Sequence, residues 1–370
     1  MLENGEGGEG AMAVDAKEQG TKEDKDNPFS QYYAQLLHQQ NMLQDTVRTG
    51  AYQAAIRDNA ADFTGKVVLD VGTGSGILAF FAAQTGAKKV YAVEASAIAE
   101  SARLLVEHNG MSSVIQVIQS KLEEVELPEK VDVIVSEPIG FLLVHERMLD
   151  TYIKSRDKFL KPGGIMMPAG GDIVVAPMTS EALYQEQLIK ASFWQSTSFF
   201  GLDVSVLQER ALDEHFGQPV VGYFYSSSLI STERAKHHID FSSATLENLL
   251  RFTMPLRFTI SRTSIMHGLG CWFDLSFQGS QAHVVLSTSP DSPGTHWYQC
   301  RLLLKNPIAV NATQVQYNTV HKFPSTAMES FVGGMEALVI GTPLGVTLGP
   351  PCTAVAALVP SPAINEHLGS

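Results

Sequence analysis

The chain has little cysteine: among 370 residues only Cys271, Cys300 and Cys352 carry a thiol. Their spacing fits no metal-ligand pattern and their odd number no disulfide framework, so reduced thiols of the nucleus or cytoplasm are expected and a metal cofactor is not. Positive charge is scarce too. Lys and Arg number 26 against 39 Asp and Glu, a formal net charge of −13. Nucleic-acid binding is therefore not expected, since phosphate recognition relies on basic patches, whereas an acidic surface draws in cationic partners. No uninterrupted apolar run suits a bilayer span. The best stretch, Ala337 to Ile364, is broken by Pro343, Pro350, Pro351, Pro360 and Pro362, which excludes a membrane helix there. The N-terminus lacks the basic-then-apolar order of a secretory leader, and no internal repeat is visible.

What the chain does have is material for a core: 44% hydrophobic and 18% charged residues, over a length suited to two domains. Residues 1–27 are Gly-, Glu-, Asp- and Lys-rich and are expected to form a disordered acidic tail. Residues 28–65 carry apolar positions at helical spacing and predict two or three helices. Between 66 and 167 strands alternate with helices. Lys66–Val71, Lys89–Glu94, Val114–Gln119 and Val131–Glu137 read as strands, and Ile77–Thr85 and Ala97–Asn109 as helices. That rhythm predicts a Rossmann-like α/β domain with a parallel sheet. After Pro162–Gly164 the pattern changes. Gly171–Ala176, Leu256–Ile260, Cys271–Phe277 and His283–Ser287 alternate as antiparallel strands do, predicting a β-barrel-like domain over 168–320. A helical, aromatic insertion lies within it at about 180–207. Residues 321–370 lose both patterns and are expected to be a poorly ordered tail.

Two constellations carry chemistry. In the first, Val67–Val71 runs into Gly72-Thr73-Gly74-Ser75-Gly76 before a helix. Glycines belong where the backbone turns sharply and approaches a ligand closely. A purely structural turn is the plain alternative. A dinucleotide fingerprint needs G-x-G-x-x-G, but position 77 is Ile, and no Gly-Lys-Ser/Thr follows to make a P-loop. The next strand ends in Glu94, where a carboxylate can accept both ribose hydroxyls at the ligand-binding end of an open sheet. A G-x-G-x-G turn with this acid signals S-adenosylmethionine, though it leaves the substrate class open.

The second constellation is a pair of acids. Glu137 stands where the Val131–Glu137 strand leaves the sheet, and Glu146 follows in His145-Glu146-Arg147. Neighbouring carboxylates raise each other's pKa, so a cation between them is expected; a guanidinium fits, being planar, bidentate and permanently charged. Two such acids would hold charge on the nitrogens they grip and leave the third nitrogen free to attack a methyl donor. Alternatively, Glu146 is an exposed helix residue paired with a neighbour.

With these residues in place, the chain resembles the protein arginine methyltransferases, most closely the coactivator-associated type I subfamily with its plant relatives. The matching runs are LLHQQNMLQDTVRTGAYQAAI, VVLDVGTGSGIL, VYAVEAS, SEPIGFLLVHERMLD, ASFWQSTSFFGLDVS, HGLGCWFDLSF and PDSPGTHWYQ, over roughly residues 28–315. The resemblance implies S-adenosyl-L-methionine as cofactor, S-adenosyl-L-homocysteine as its product, and arginine-containing proteins such as histones as substrates, with asymmetric dimethylarginine formed. It implies Arg48 on the cofactor carboxylate with Gln39 beside it, Gly72, Gly74 and Gly76 in the cofactor turn, Glu94 on the ribose, Glu123 at the adenine end, and Thr151 in place of a serine. It implies Glu137 and Glu146 as the catalytic acids and His296 as a base acting directly or through a neighbouring carboxylate. Tyr33, Asn41, Met42, Met148 and Trp297 would border the substrate arginine, and the insertion would be the arm of a homodimer.

The chain departs from the family pattern in two places. The first-helix motif, Tyr-Phe-x-x-Tyr in the family, is Phe29-Ser30-Gln31-Tyr32-Tyr33 here, so the aromatic over the cofactor falls on Ser30. Beyond about Val320 the family's further barrel strands give way to unrelated sequence, and nothing before Pro28 reads as the recruitment domain of animal members. These departures motivate a second reading, a catalytically impaired paralogue that acts as a dimerisation partner.

Overall fold

The computed structural model describes residues 28–250, 252–313, 315–321, 340–342 and 345–347. Four short helices open the chain: α1 (Pro28–Tyr33), α2 (Leu36–Gln44), α3 (Thr46–Arg57) and α4 (Ala60–Phe63). Asp45 starts α3, its Oδ1 accepting the backbone N–H of Arg48 at 2.9 Å, which satisfies one of the donors a helix leaves free at its first turn. The helix buries Arg48, Tyr52, Ala55 and Ile56, the single stripe that a 3.6-residue period dictates. Just before α4, Asn59 is fully buried; its amide donates to Ala282 O and accepts from Gln281 N and Ala282 N. One side chain thus ties the N-terminal helices to a hairpin more than two hundred positions away.

The first domain is a five-stranded parallel sheet in the order β3-β2-β1-β4-β5. Its strands are β1 (Val67–Val71), β2 (Lys89–Glu94), β3 (Ile115–Gln119), β4 (Val131–Ser136) and β5 (Leu160–Met167), joined through α5 (Ile77–Gln84), α6 (Ile98–His108) and α7 (Met148–Phe159). Each expected strand and helix is present: Lys89–Glu94 has the expected bounds, and the others are shorter by a residue or two at their ends. All five residues of β1 are buried, as a central strand covered on both faces requires. Because β2 and β4 flank β1, the chain reverses direction of growth there, and the crevice at the strands' C-terminal ends is the place where such sheets bind ligands.

The second domain is antiparallel. β6 (Gly170–Met178), β7 (Val220–Gly222), β8 (Ala235–Asp240), β10 (Ser264–Gln278), β11 (His283–Ser287) and β12 (Gln299–Val310) make a six-stranded sheet ordered β7-β12-β10-β6-β8, with β11 on β10. A separate ribbon pairs β9 (Thr253–Thr259) with β13 (Val315–His321). Met254, Leu256 and Phe258 on its inner face join the same core as Phe273, Leu275 and Phe277, so sheet and ribbon enclose one barrel-like interior. The helical insertion is longer than its sequence pattern suggested. α8 (Glu181–Ala191) is followed by α9 (Gln208–Phe216), and Phe216 folds back onto Tyr184 with ring centroids 5.3 Å apart, so helical structure continues past Leu207 to Phe216. A short helix α10 (Leu246–Leu250) precedes β9.

The expected disordered tail, residues 1–27, lies outside the described residues. So does most of 321–370, of which the paired strands β14 (Ile340–Thr342) and β15 (Gly345–Thr347) are described. Among the described residues, no helix is long and apolar enough to cross a membrane and no cluster of His, Cys, Asp or Glu could hold a metal ion.

Candidate active site

The glycine turn sits at the C-terminal end of β1. Gly72, Gly74 and Gly76 have φ of +67°, +55° and +91°, a region that side-chain-bearing residues enter at a cost. Space is equally decisive: a Cβ on Gly74 would lie 2.7 Å from Gln39 Oε1, and one on Gly72 would lie 3.3 Å from Met148 Cε. Gln39, buried on α2, accepts from Ser75 N at 3.1 Å and donates to Tyr33 O at 3.0 Å. Glu94, at the end of β2, accepts from Gly74 N at 2.9 Å and Ser96 N at 2.8 Å. Underneath lies Asp70, fully buried, which takes the Thr73 hydroxyl at 2.6 Å and Ala79 N at 3.0 Å. Burial pushes its carboxyl up to about 7. Sequence reading passed over Asp70, because its role as a brace for the turn depends on the helix start that follows.

Next to the turn are the two acids. Glu137 directly follows β4 and accepts Ile139 N through Oε1 at 3.1 Å. Its other oxygen receives Arg48 Nε at 3.2 Å and Nη2 at 2.9 Å, in an ion pair whose side chains are only 7% and 10% exposed. The remaining Arg48 nitrogen, Nη1, donates to Met42 O at 3.4 Å. The resemblance placed Arg48 on the cofactor carboxylate; here it holds Glu137, and a buried carboxylate needs such a charge. Glu146 stands at the other end of the loop, at φ +72°, within reach of the Glu137 charge, and accepts the Tyr33 hydroxyl at 2.8 Å. Burial, with the nearby charge of Glu137, raises its carboxyl to about 7 against the hydrogen bond from Tyr33. The pairing of Tyr33 with Glu146 joins α1 to the acid loop, so the plain alternative of an exposed helix residue does not hold.

The second domain closes the site. His296 is fixed twice by Asp45: Oδ2 accepts its backbone N–H at 2.8 Å and lies 2.8 Å from its Nδ1. Burial alone would raise the Asp45 carboxyl, but the hydrogen bonds from His296 and Arg48 hold it below the usual range. The carboxylate partner foreseen for His296 is thus Asp45. It was not named from sequence, although an Asp directly before Thr46-Val47-Arg48 is a helix N-cap signal. Trp297 was expected to border the substrate. The structure buries it, 4% exposed, against Phe273 with centroids 5.4 Å apart. Its indole N–H donates to Ile139 O at 2.9 Å. It supports the loop between Glu137 and Glu146 from behind.

The remaining residues divide. Met42 and Met148 are half-buried, Met148 beside Gly72 of the turn, and Thr151 lies one helical turn after Met148 on α7. Asn41 is exposed on α2. Glu123 stands apart from the network: it is exposed, on the turn Leu122–Glu124, and its carboxylate meets Lys154 of α7 at 3.0 Å. The loss of a ring at Ser30 concerns a side chain outside the described residues.

A parallel sheet with a glycine turn at the end of its central strand, followed by an antiparallel domain with a helical insertion, is the fold of the arginine methyltransferases. The chain belongs to the protein arginine methyltransferase family. It is similar to Arabidopsis thaliana protein arginine methyltransferase 10, with 34% identity and a TM-score of 0.73 over 79% of this chain and 89% of that one. It is also similar to the Trypanosoma brucei PRMT1 enzyme–prozyme heterotetrameric complex with AdoHcy, with 32% identity and a TM-score of 0.75 over 86% and 97%. The arginine methyltransferase oligomerization subdomain model matches residues 171–331, and the ribosomal protein L11 methyltransferase (PrmA) model matches residues 55–175. In sequence, the chain is 51% identical to the probable histone-arginine methyltransferase CARM1 of Oryza sativa subsp. japonica over 294 residues, 79% of this chain and 56% of that protein. It is 50% identical to the histone-arginine methyltransferase CARMER of Drosophila yakuba over 296 residues, 80% and 56% respectively. The chain therefore spans little more than half the length of these two relatives.

Proposed function

We propose that this protein transfers methyl groups from S-adenosyl-L-methionine to arginine guanidinium nitrogens of histones and other proteins, giving asymmetric dimethylarginine, in the nucleus and cytoplasm and in the service of chromatin and transcription. The observation that supports the reading is the acid pair: the charge of Glu137 acts on the half-buried Glu146, and Glu137 already grips a guanidinium, that of Arg48, through two nitrogens.

The residues of the turn fit the cofactor. Gly72 and Gly74 leave the backbone bare where a ligand must come close, and Glu94 stands at the ribose position beside a buried, unpartnered Ser96 hydroxyl. Arg48, Gln39 and Thr151 would hold the methionine and adenosine parts. Glu123 would exchange Lys154 for the adenine edge. When bound, the cofactor supplies an electrophilic methyl group on a sulfonium.

The chain's own residues prepare the nucleophile. Glu137 and Glu146 would each take guanidinium N–H groups and concentrate positive charge there, so the third nitrogen regains its lone pair. A substrate cation between them also stabilises the ionised form of Glu146. Tyr33 orients Glu146, and Trp297 and Ile139 fix the loop, so the acceleration comes from positioning and a preorganised field. His296, held by Asp45, would accept the proton that leaves. Met42 and Met148 would shape the wall that directs the second methyl to the same nitrogen, with Asn41 at its mouth.

The arm supports a homodimer. Phe193, Phe199, Phe200 and Leu202 are all exposed on it, Phe200 at 97%, a group of apolar side chains of the kind that marks an interaction surface. The test of the whole reading is methylation of core histones by the full chain, with the product resolved by mass. Dimethylarginine of the asymmetric form is expected, and no methyl transfer by a chain that binds cofactor would favour the impaired paralogue.

A further inference from the structure

The segment after β7 alternates in a way the core does not need. Val221, Tyr223 and Tyr225 are 39%, 52% and 83% exposed, while Phe224 turns inward onto Trp272 and Gly270. In extended chain, residues two apart share a face, so two large rings are presented to solvent side by side. The segment is held firmly. Gln299 pairs with Gly222 in the sheet and accepts Phe224 N at 3.3 Å, and Arg301 donates to Val220 O at 3.3 Å and Tyr223 O at 3.4 Å.

Tyr223 also reaches the active-site loop. Its hydroxyl donates to Thr295 O at 2.9 Å, the carbonyl directly before His296. Its ring lies 4.7 Å from that of Tyr298, tilted by 58°, and a Cβ on Gly294 would come within 2.5 Å of its oxygen. Burial, Tyr298 and the charge of Asp45 together push the Tyr223 hydroxyl up, so this ring senses the carboxylate that holds His296. The rings therefore run from open solvent to the loop that carries His296.

We propose that Tyr225, Tyr223 and Tyr298 form a docking track leading to His296, on which a cationic side chain flanking the target arginine lies against the ring faces. Two features select a cation over other occupants. Tyrosine faces carry negative potential that attracts ammonium and guanidinium groups. The track also ends beside Asp45, whose negative charge repels acidic segments. The proposal rests on the arginine-methyltransferase reading and adds to it a determinant of which arginines are chosen.

The test is calorimetric binding to the full chain with S-adenosyl-L-homocysteine present, which needs no turnover. The probes are peptides with a single arginine among alanines and one lysine placed at each flanking position in turn. At one or two positions lysine should tighten binding roughly threefold to tenfold. Tyr223→Ala should abolish that advantage, Tyr223→Phe should keep it, and Tyr225→Ala should reduce it, while the all-alanine peptide binds each variant within about twofold of the parent. A lysine advantage that survives Tyr223→Ala, its absence from the parent chain, or an equal weakening of every peptide would overturn the track. Arginine peptides that fail to bind the parent chain at all would overturn the function as well.

Discussion

Asp45 and His296 lie 251 positions apart in sequence and meet through two hydrogen bonds of 2.8 Å, one to the backbone and one to the ring. The same Asp45 carboxylate caps the helix that carries Arg48. One side chain thereby sets the start of the cofactor-side helix, the position of the barrel loop and the orientation of the imidazole. Replacement by Asn preserves a good cap but removes the charge. Asp45→Asn should therefore stay within about 0.5 kcal/mol of the parent in denaturant unfolding, and Asp45→Ala should lose about 1 kcal/mol. Both should slow methylation, and the pH–rate profile of Asp45→Asn should shift. An unchanged profile would remove His296 from the proton path.

Glu146→Gln should lower kcat by ~10²–10³-fold and leave S-adenosyl-L-homocysteine affinity intact, because the turn residues that would bind it make their contacts elsewhere. Glu137→Gln would differ, since Arg48 would lose its charged partner and cofactor affinity should change with it. Equal behaviour of the two variants would argue against their distinct places in the site.

The raised Glu146 carboxyl has a consequence for stability. Its folded value of about 7 exceeds the ordinary 4.5, so the folded state binds the proton more tightly than the unfolded one. The resulting stabilisation is complete below the ordinary value and is lost as pH rises through about 7. Relative to the parent chain, Glu146→Gln should flatten the fall in stability across that window, by on the order of 3 kcal/mol in full. Parallel pH curves for the two proteins in urea unfolding would refute this environment for Glu146.

Trp297→Phe keeps a ring against Phe273 but leaves the buried Ile139 carbonyl without its donor. A loss of ~1–3 kcal/mol is expected, together with reduced turnover because Ile139 also orders Glu137. If turnover fell with no change in unfolding, Trp297 would instead touch the substrate.

Phe200, 97% exposed at the arm's tip, should anchor the second copy. Phe200→Asp is expected to convert dimer to monomer in sedimentation and to reduce activity with it. A dimer that survives this change and Leu202→Asp together would locate the interface elsewhere.

Much of this could be read in the sequence, and the limits have identifiable causes. Strand and helix positions in the first domain follow from local periodicity, and the glycine turn from backbone geometry that only glycine adopts cheaply, so Val67–Val71, Gly72, Gly74 and Gly76 were legible directly. Glu137 and Glu146 were legible as a pair because both sit on one short loop. The continuation of the helical insertion to Phe216 was not, since it depends on Phe216 packing against Tyr184. What only the tertiary structure decided are the contacts between distant segments: Arg48 on Glu137, Tyr33 on Glu146, Asp45 on His296, Asn59 on the β10–β11 hairpin, and Trp297 on Ile139 of the acid loop. Local spacing specifies which face a residue occupies along its own element. Which partner it meets across the fold is set by how two domains pack, and no window of neighbouring residues contains that information.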